Sequence, residues 1–486
     1  MPAQPTTRLQ VSGYRFLVRR MEHALVRRDV RMLGDPMRSQ TRAMVVGGIV
    51  TTIGLAACLV LALIRPQDKI ADNKIVVGKD SGAMFVVIGD TVHPVLNLAS
   101  ARLISGESAK PAIVKEAELG KKPRGPLVGI PGAPSALPFD SDADGRAWTV
   151  CDSIASDGSS SITTSVLIGD PELGDRSADL APGDALLLRA GNVTYLVYDG
   201  KRARIDPADR AVVAALALDG ATPRPVSPGL LNAIPEVDEI APPTIEGAGG
   251  VPNYPFPVAK VGAVVQSARS EGNQYYVVLR DGLQAIGSAT KDLIRYTDSQ
   301  GMADIEKIAP DKITAAPQVA SLDVASYPDA ARGIADIGET PVTCLSWQPI
   351  TSSEDEASAA EITVLTGRGL PMSDDARLVD LAQADGSGDK ADAVYVRPGA
   401  GAFVQTTGIA ADSQRRDSKF YVADTGVRYG IVDDDAAKAL GFTRPESAPW
   451  PIVALLAPGP ALGREEALLA HDGVAPDPAP ALVSDR

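Results

Sequence analysis

The sequence predicts an α+β protein with a single N-terminal transmembrane helix and an elongated exported domain, in which four small αβ repeats surround a disulfide-linked, mainly-β central domain. Three observations lead to this prediction. An uncharged block of 22 residues lies near the N-terminus, short β-branched or aromatic runs recur after it, and only two cysteines lie beyond it. Because 45 Gly and 38 Pro are spread over 486 residues, turns are frequent and long helical bundles are not expected.

Residues 1–42 form a strongly basic segment, which is predicted to be cytosolic. It carries nine Arg, no Lys and three acidic residues, a net charge of +6, whereas the part of the chain after the apolar block carries −20. Apolar residues follow helical spacing at Tyr14, Leu17, Val18, Met21 and Leu25. This amphipathic helix is predicted to lie on anionic headgroups or to dock a cytosolic partner, and a stub that only fixes topology is the alternative.

Residues 43–64, from Ala43 to Ile64, are the predicted transmembrane helix. They contain no charged residue, and at ~1.5 Å each they span roughly 33 Å, enough for a hydrocarbon layer of about 30 Å. The Arg excess before the block predicts that the N-terminus is inside. The alternatives are a buried core helix, a cleaved signal peptide, and a lipobox ending at Cys58. The long preceding segment and the apolar residues after Cys58 favour an uncleaved anchor.

Beyond the membrane block, four segments share a pattern of two β-branched or aromatic strands, the second ending in a Gly or Asp-Gly turn. They begin at Asn73, Ala185, Gly262 and Ala393. The second and fourth copies also share a Pro-containing tail, at 212–237 and 436–459. The sequence therefore predicts four related modules.

Two further segments resemble each other around Cys151 and Cys344 and alternate with the repeats, which predicts a pseudo-two-fold molecule whose central halves meet. The predicted divisions are 1–42 for the cytosolic segment, 43–64 for the membrane helix, 65–120 for a linker and repeat 1, 121–172 for the first central half, 173–250 for repeat 2, 251–334 for repeat 3, 335–385 for the second central half, 386–470 for repeat 4, and 471–486 for a disordered tail.

The cysteine count supports this division. With Cys58 in the membrane block, the exported part retains Cys151 and Cys344, which are expected to pair in an oxidising compartment. The alternative is two free, buried thiols. Neither cysteine has a CxxC spacing or a nearby His, so a reactive thiol is not expected.

The residues give little support for catalysis, and no cofactor, metal ligand or catalytic residue is predicted. The three histidines, His23, His93 and His471, are far apart in the sequence. Gly120-Lys121 lacks the first Gly and the final Ser or Thr of a phosphate-binding loop. The net charge of −14 argues against a nucleic-acid partner.

An acidic turn matches the beginning of a calcium-binding loop. Asp140, Asp142, Asp144 and Gly145 follow the DxDxDG pattern, but Cys151 stands where the bidentate Glu is required. A solvated acidic turn is the alternative interpretation, and no calcium site is predicted.

Several motifs, in order along nearly the whole chain, resemble the EccB family of mycobacterial and related actinobacterial type VII (ESX) secretion systems. They are LQVSGYRFLVRR from Leu9, RRDVRMLGDP from Arg27, HPVLNLASARLISG from His93, RGPLVGIPGAP from Arg124, Cys151 and Cys344, QYYVVLRDGL from Gln274, and DTGVRYGI from Asp424. The resemblance implies a single-pass protein of the cytoplasmic (inner) membrane, with a cytosolic N-terminus and a periplasmic domain of four repeats that resemble a phage-lysin cell-wall-binding fold.

The resemblance also implies partners and a role. The implied partners are the EccC motor ATPase, EccD, EccE, the mycosin protease, other EccB copies and the lipid bilayer. The implied role is structural, in assembling a complex that exports proteins across the cell envelope. Because family members have been described as ATPases, a weak nucleotide hydrolase is one alternative, although no phosphate-binding loop is recognisable here. A cell-wall-binding anchor is the other.

Overall fold

The computed structural model describes residues 7–31, 36–64, 69–138, 145–155, 161–270, 272–350 and 359–474. The chain divides into two compact units. The first comprises residues 1–72, 78–81 and 112–121, and the second comprises residues 73–77, 82–111 and 122–486.

Two long helices lie in the first unit, α1 (Arg8–Arg27) and α2 (Pro36–Ile64). At the start of α1, the Thr7 backbone N–H donates to Gln10 Oε1 at 2.9 Å, and at its end Arg28 adopts a left-handed conformation. Helix α2 begins with Pro, which suits the first helical position because that residue's N–H would have no helical partner. It starts seven residues before the predicted block and ends with it at Ile64.

The remaining elements are given in chain order, module by module. Repeat 1 contains β1 (Ile75–Gly78), β2 (Met84–Ile88), β3 (Thr91–Pro94), α3 (Leu98–Ser105), β4 (Ala112–Val114) and α4 (Glu116–Leu119), and is followed by β5 (Leu127–Val128). The first central half contains β6 (Trp148–Ile154), β7 (Ile162–Ile168) and β8 (Ser177–Asp179). Repeat 2 contains β9 (Asp184–Ala190), β10 (Val193–Tyr198), β11 (Lys201–Ile205), α5 (Arg210–Ala215), β12 (Arg224–Pro225), α6 (Pro228–Ala233) and β13 (Glu236–Ile240).

The second half of the chain repeats this arrangement. Repeat 3 contains β14 (Val264–Arg269), β15 (Gly272–Val278), β16 (Leu283–Ile286), α7 (Ser288–Thr297), β17 (Glu306–Lys307) and α8 (Pro310–Ala315), and is followed by β18 (Gly333–Ile334). The second central half contains β19 (Val342–Ile350), β20 (Ala359–Gly367), β21 (Val379–Asp380) and β22 (Ala393–Val396). Repeat 4 contains β23 (Ala402–Thr407), β24 (Lys419–Val422), β25 (Val427–Ile431), α9 (Asp434–Leu440), β26 (Glu446–Pro449), α10 (Trp450–Val453) and β27 (Ala457–Pro458), and is followed by α11 (Arg464–Ala467) and β28 (Ala470–His471).

Repeats 2 and 4 share a five-stranded topology, and the sheet of repeat 2 has β18 as a sixth strand beside β9. Their strand orders are β12-β9-β10-β11-β13 and β26-β23-β24-β25-β27, in which the three middle strands are antiparallel and each outer strand is parallel to its neighbour. The outer strands come from the Pro-containing tails that the sequence indicated as related. Each repeat has three antiparallel strands rather than the predicted two, because the short runs after each Gly or Asp-Gly turn also join the sheets.

The central domain is one seven-stranded sheet to which both halves of the chain contribute. Its order is β21-β22-β7-β6-β19-β20-β8. Strands β6 and β19 pair antiparallel at the centre, with Cys151 opposite Cys344 and Trp148 opposite Trp347. The predicted disulfide-linked, mainly-β centre is therefore confirmed, and its two halves meet at β6 and β19. The outer strands differ between the halves, because β22 is parallel to β7 whereas β8 is antiparallel to β20.

Four strands pair outside the module in whose predicted range they lie. Strand β5, in the range of the first central half, pairs with β28, and β18, in the range of repeat 3, pairs with β9 of repeat 2. The run at 393–396 was expected to open repeat 4, but β22 pairs in parallel with β7 in the central sheet. Similarly, β8 falls within the predicted range of repeat 2 but pairs with β20. The apolar run of β22 supplies Val394 and Val396 to the central core, and the turn at 397–401 separates it from β23.

Neighbouring repeats share apolar cores. Leu103 of α3 lies in one core with Leu440 and Phe442 at the end of α9, so repeats 1 and 4 adjoin. Leu293 of α7 lies in one core with Val212 of α5, so repeats 2 and 3 adjoin in the same way. The central sheet shares a third core with repeats 2 and 4.

The C-terminal segment is ordered further than predicted. His471, which was assigned to the tail, lies in β28, and β28 pairs antiparallel with β5. The His471 ring contacts the Gly129 carbonyl through Nε2 at 2.9 Å. The tail residues 475–486 lie outside the described part of the chain.

Candidate functional site

The predicted docking stripe lies along α1. The exposed fraction is 70% for Tyr14, 56% for Leu17, 62% for Met21 and 82% for Leu25, whereas Val18 is partly buried. His23 is buried, but it follows Met21 by two residues and so lies about 200° further around the helix. The stripe is therefore a separate, solvent-facing apolar surface with Arg15 and Arg19 beside it.

Helix α2 contains the whole predicted membrane block. Among the described residues it is the one helix long and apolar enough to cross a bilayer, over Gln40–Leu61, and none of that window is buried by the rest of the protein. The hydroxyls of Thr51 and Thr52 donate to the carbonyls of Gly47 and Gly48, each at 2.8 Å. These polar groups are therefore satisfied within the helix, as the interior of a bilayer requires.

The disulfide joins the two halves of the central sheet. Cys151 and Cys344 are bonded to each other, and their exposed fractions are 0% and 2%. They contact an apolar cluster that includes Leu167, Val342 and Leu365. This position gives the cystine a structural role, since neither sulfur is accessible to a substrate.

A buried carboxylate connects the central sheet to repeat 2. Asp152 accepts hydrogen bonds from the backbone N–H and the hydroxyl of Ser227, both at 2.7 Å, and from the hydroxyl of Thr164 at 3.0 Å. Ser227 is also the N-cap of α6, since its hydroxyl accepts from the Leu230 N–H at 3.0 Å. The Asp152 side chain thus fixes the position of a helix that covers the central core.

The pKa of Asp152 is raised above its usual value of 3.8, chiefly because burial disfavours the charged form and further because of nearby Asp392. Since the folded state then holds this proton more tightly than the unfolded state, the contribution of Asp152 to stability is fully present below pH 3.8 and is lost as the pH rises through the folded pKa. We expect the free energy of unfolding of the wild type, relative to Asp152→Asn, to fall as the pH rises above 3.8. Urea titrations across this range test this, and a constant or rising difference would contradict it.

A buried arginine makes a second connection between repeat 2 and the central domain. Arg224 is 2% exposed and donates to the Thr340 carbonyl at 2.9 Å, the Ala335 carbonyl at 2.8 Å, and the hydroxyls of Thr343 and Thr340 at 2.7 and 3.2 Å. Burial lowers its pKa to about 10, against a smaller opposing effect of Asp336. The guanidinium therefore stays charged at neutral pH and holds the segment that leads into β19.

The sequence features considered for nucleotide or metal binding do not form such a site among the described residues. Gly120 follows α4 as its C-cap, and Lys121 forms an ion pair with Glu118 at 2.6 Å. Asp140, Asp142 and Asp144 lie outside the described residues. Within the described ranges, no group of three or more His, Cys, Asp or Glu side chains is positioned to hold a metal ion.

Sequence reasoning missed Asp152 and Arg224. For Asp152 a signal was available: in the strand WTVCDSI, alternation places it on the same face as Trp148 and Val150, which is the face of the large central core. An acidic residue on such a face needs hydrogen-bond partners. Arg224 stands in a Pro-containing stretch without periodicity, so nothing in its local sequence indicated that it is buried.

A single apolar helix followed by four αβ modules on a disulfide-linked sheet defines a membrane-anchored, multi-module scaffold. The family model described as "Type VII secretion system ESX-1, transport TM domain B" matches residues 3–476. The chain belongs to the EccB family of type VII secretion proteins, as the sequence motifs indicated.

Curated relatives match along more than nine-tenths of their length. "ESX-3 secretion system ATPase EccB3" of Mycolicibacterium smegmatis is 40% identical over 97% of this chain and 92% of the relative. "ESX-5 secretion system ATPase EccB5" of Mycobacterium tuberculosis is 36% identical over 98% of this chain and 96% of the relative.

Solved structures match as well. A chain in "Structure of an intact ESX-5 inner membrane complex, Composite C3 model" is 34% identical, with a TM-score of 0.75 over 100% of this chain and 99% of that chain. "Structure of EccB3 dimer from the ESX-3 core complex" is 38% identical, with a TM-score of 0.71 over 82% of this chain and 100% of that chain. The predicted fold class is therefore confirmed.

Proposed function

We propose that this chain is a structural core component of a type VII secretion membrane complex, which exports proteins across the envelope of a mycobacterium or related actinobacterium. The observation that carries the proposal is the likeness, over the full length of both chains, to a chain of an intact ESX-5 inner membrane complex. The buried disulfide and the shared cores suit such a role, because a scaffold must hold its modules in fixed relation.

We further propose that the N-terminus lies in the cytosol and the four-repeat body in the periplasm. The Arg excess before α2 supports this orientation under the positive-inside rule. The disulfide gives independent support, because disulfides persist in an oxidising compartment and are rare in the cytosol. Both observations therefore support the same orientation.

The α1 stripe is then a docking surface for the other members of the complex. The proposed partners are the EccC motor ATPase, EccD, EccE, the mycosin protease and further EccB copies. The stripe can serve the members that have cytosolic parts, since Tyr14, Leu17, Met21 and Leu25 present apolar area to solvent while α2 enters the membrane. Burial of such a stripe against a partner groove is a common mode of helix recognition.

Changing Leu17 and Met21 to Glu is expected to reduce the amount of EccC, EccD and EccE that co-purifies with this chain by about tenfold or more. Burying a charge in an apolar interface weakens binding by about 1–3 kcal/mol or more. Because 1.4 kcal/mol corresponds to a factor of ten in affinity, a loss of about tenfold or more follows. The measurement is the ratio of each partner to this chain after detergent extraction of the native membrane.

Phe16→Glu is the matched control, because Phe16 is exposed to the same extent as Leu17 but lies about 100° away from it on α1. It should leave co-purification close to the wild-type value. Equal recovery from the stripe variant and this control would rule out the stripe as the docking surface, and recovery of no partner with the wild-type chain would count against the complex itself.

The word "ATPase" in the relatives' names favours a second candidate function, nucleotide hydrolysis. Nucleotide hydrolysis is tested by measuring phosphate release from the purified full-length chain in the presence of magnesium and ATP. A heat-denatured sample of the same preparation is the control.

A further inference from the structure

A groove of about 590 Å³ lies at one edge of repeat 2. One wall is the loop 217–222 between α5 and β12, and the other is the segment 331–337, which contains β18 and ends in a turn. Both walls lie in the second unit of the chain.

The segment 331–337 presents a strand edge to this groove. Strand β18 pairs in parallel with β9, and the N–H groups of Gly333 and Ala335 donate to the carbonyls of Gly183 and Ala185 at 3.1 and 3.0 Å. Since alternate residues of a strand direct their backbone groups to opposite edges, those of Ile334 point away from β9. Among the described residues, no other strand pairs with β18 on that side.

The strand is held firmly from behind. The Ile334 side chain packs against the core shared by repeats 2 and 3, and Arg224 donates to the Ala335 carbonyl at 2.8 Å. An edge that is already ordered loses little conformational entropy when another strand is added to it. The free edge of β18 is therefore already ordered in a conformation that can pair with an added strand.

The groove has an acidic character. Asp219 lies on the loop wall and Asp336 on the strand wall, and both are exposed. The Asp336 carboxylate is fixed by the Gly338 N–H, which donates to it at 2.7 Å. Arg332, the basic residue of the lining, is engaged by Asp199 at 2.8 Å. Two carboxylates thus remain to interact with a ligand.

We propose that this groove binds an extended segment of another polypeptide as an added β-strand, with a Lys or Arg side chain of that segment beside Asp219 and Asp336. Backbone hydrogen bonds to the β18 edge supply affinity, and the two carboxylates select a basic sequence. The strand part of this wall is Gly333–Ile334, so the backbone hydrogen bonds to the added strand centre on Ile334. This binding site is independent of the docking stripe on α1.

The test uses the full-length chain in detergent and three fluorescein-labelled hexapeptides, with binding measured by fluorescence anisotropy. The first peptide is Thr-Lys-Val-Lys-Val-Thr, the second carries Glu in place of Lys, and the third is the Lys peptide N-methylated at alternate residues. We expect the Lys peptide to bind, and each of the other two to bind at least about tenfold more weakly, since they lose charge attraction and backbone hydrogen bonds respectively.

Asp219→Lys is expected to weaken binding of the Lys peptide by about fivefold and to strengthen binding of the Glu peptide. Asp238→Lys is the matched control, because Asp238 is an exposed residue of β13 at the opposite edge of the same sheet. No binding of the Lys peptide, equal binding of all three peptides, or equal effects of the two variants would each overturn the proposal. None of these outcomes would affect membership of the membrane complex.

Discussion

Replacing Cys151 and Cys344 together by Ala is expected to lower the free energy of unfolding of the four-repeat body by about 5 kcal/mol. The cystine links residues 193 positions apart, and the chain-entropy model gives about this value for a loop of that length. Both sulfurs are buried between β6 and β19, so the variant also loses apolar contacts at the centre of the sheet. This change should have the largest effect of those considered, because it loosens the junction of the two halves of the chain.

The measurement is a urea titration of the full-length chain in detergent, followed by tryptophan emission. Trp148 and Trp347 are fully buried opposite each other on the same two strands as the disulfide, so they report on this junction directly. Cys58→Ala is the control and should leave the curve unchanged, since Cys58 lies exposed on α2. A loss of less than about 1 kcal/mol in the double variant would mean that the strand pairing alone holds the centre together.

The parts of the fold that could be predicted from sequence are those with a signal at a single position or a fixed period. Ala43 to Ile64 stood out because no charge interrupts it, and α1 because its apolar residues recur at helical spacing. The disulfide followed from counting the cysteines outside the membrane block. Each of these inferences needs no knowledge of which distant segments meet.

The module boundaries were harder to predict from the sequence, because they depend on the pairing of strands that are far apart in the chain. The run AVYV of β22 is apolar throughout, so alternation could not indicate which sheet it joins, and it pairs with β7 more than 200 residues away in sequence. The third strand of repeat 2, KRARI, carries three basic residues and was not predicted as a strand. It becomes a strand because its Ala203 and Ile205 fill the core of the repeat.

The peptide groove could not be predicted from the sequence either, because its two walls come from distant segments. Its walls, 217–222 and 331–337, are separated by more than 100 residues and meet only because β18 returns to pair with β9. Asp219 and Asp336 look like ordinary surface acids in their local sequences. Their common position beside an open strand edge is a property of the fold alone.

Replacing Arg224 by Met is expected to lower the free energy of unfolding by about 3 kcal/mol. Met retains most of the apolar stem but removes every donor. The partly buried carbonyls of Ala335 and Thr340 then lose this partner, and an unsatisfied buried group costs about 1–3 kcal/mol. Arg224→Lys should cost less, since an ammonium group keeps the charge but cannot reproduce the fork that reaches both carbonyls. The measurement is again urea unfolding of the full-length chain.

Arg204→Met is the matched control, because Arg204 lies in β11 of the same repeat with its side chain exposed. It should change the free energy of unfolding by no more than about 0.5 kcal/mol. If Arg224→Met and Arg204→Met had equal effects, the buried arginine would contribute nothing beyond its bulk. The order Met, then Lys, then wild type, with rising stability, would instead identify the guanidinium as the group that fastens repeat 2 to the segment leading into β19, and would explain why a charge is kept there without a carboxylate bonded to it.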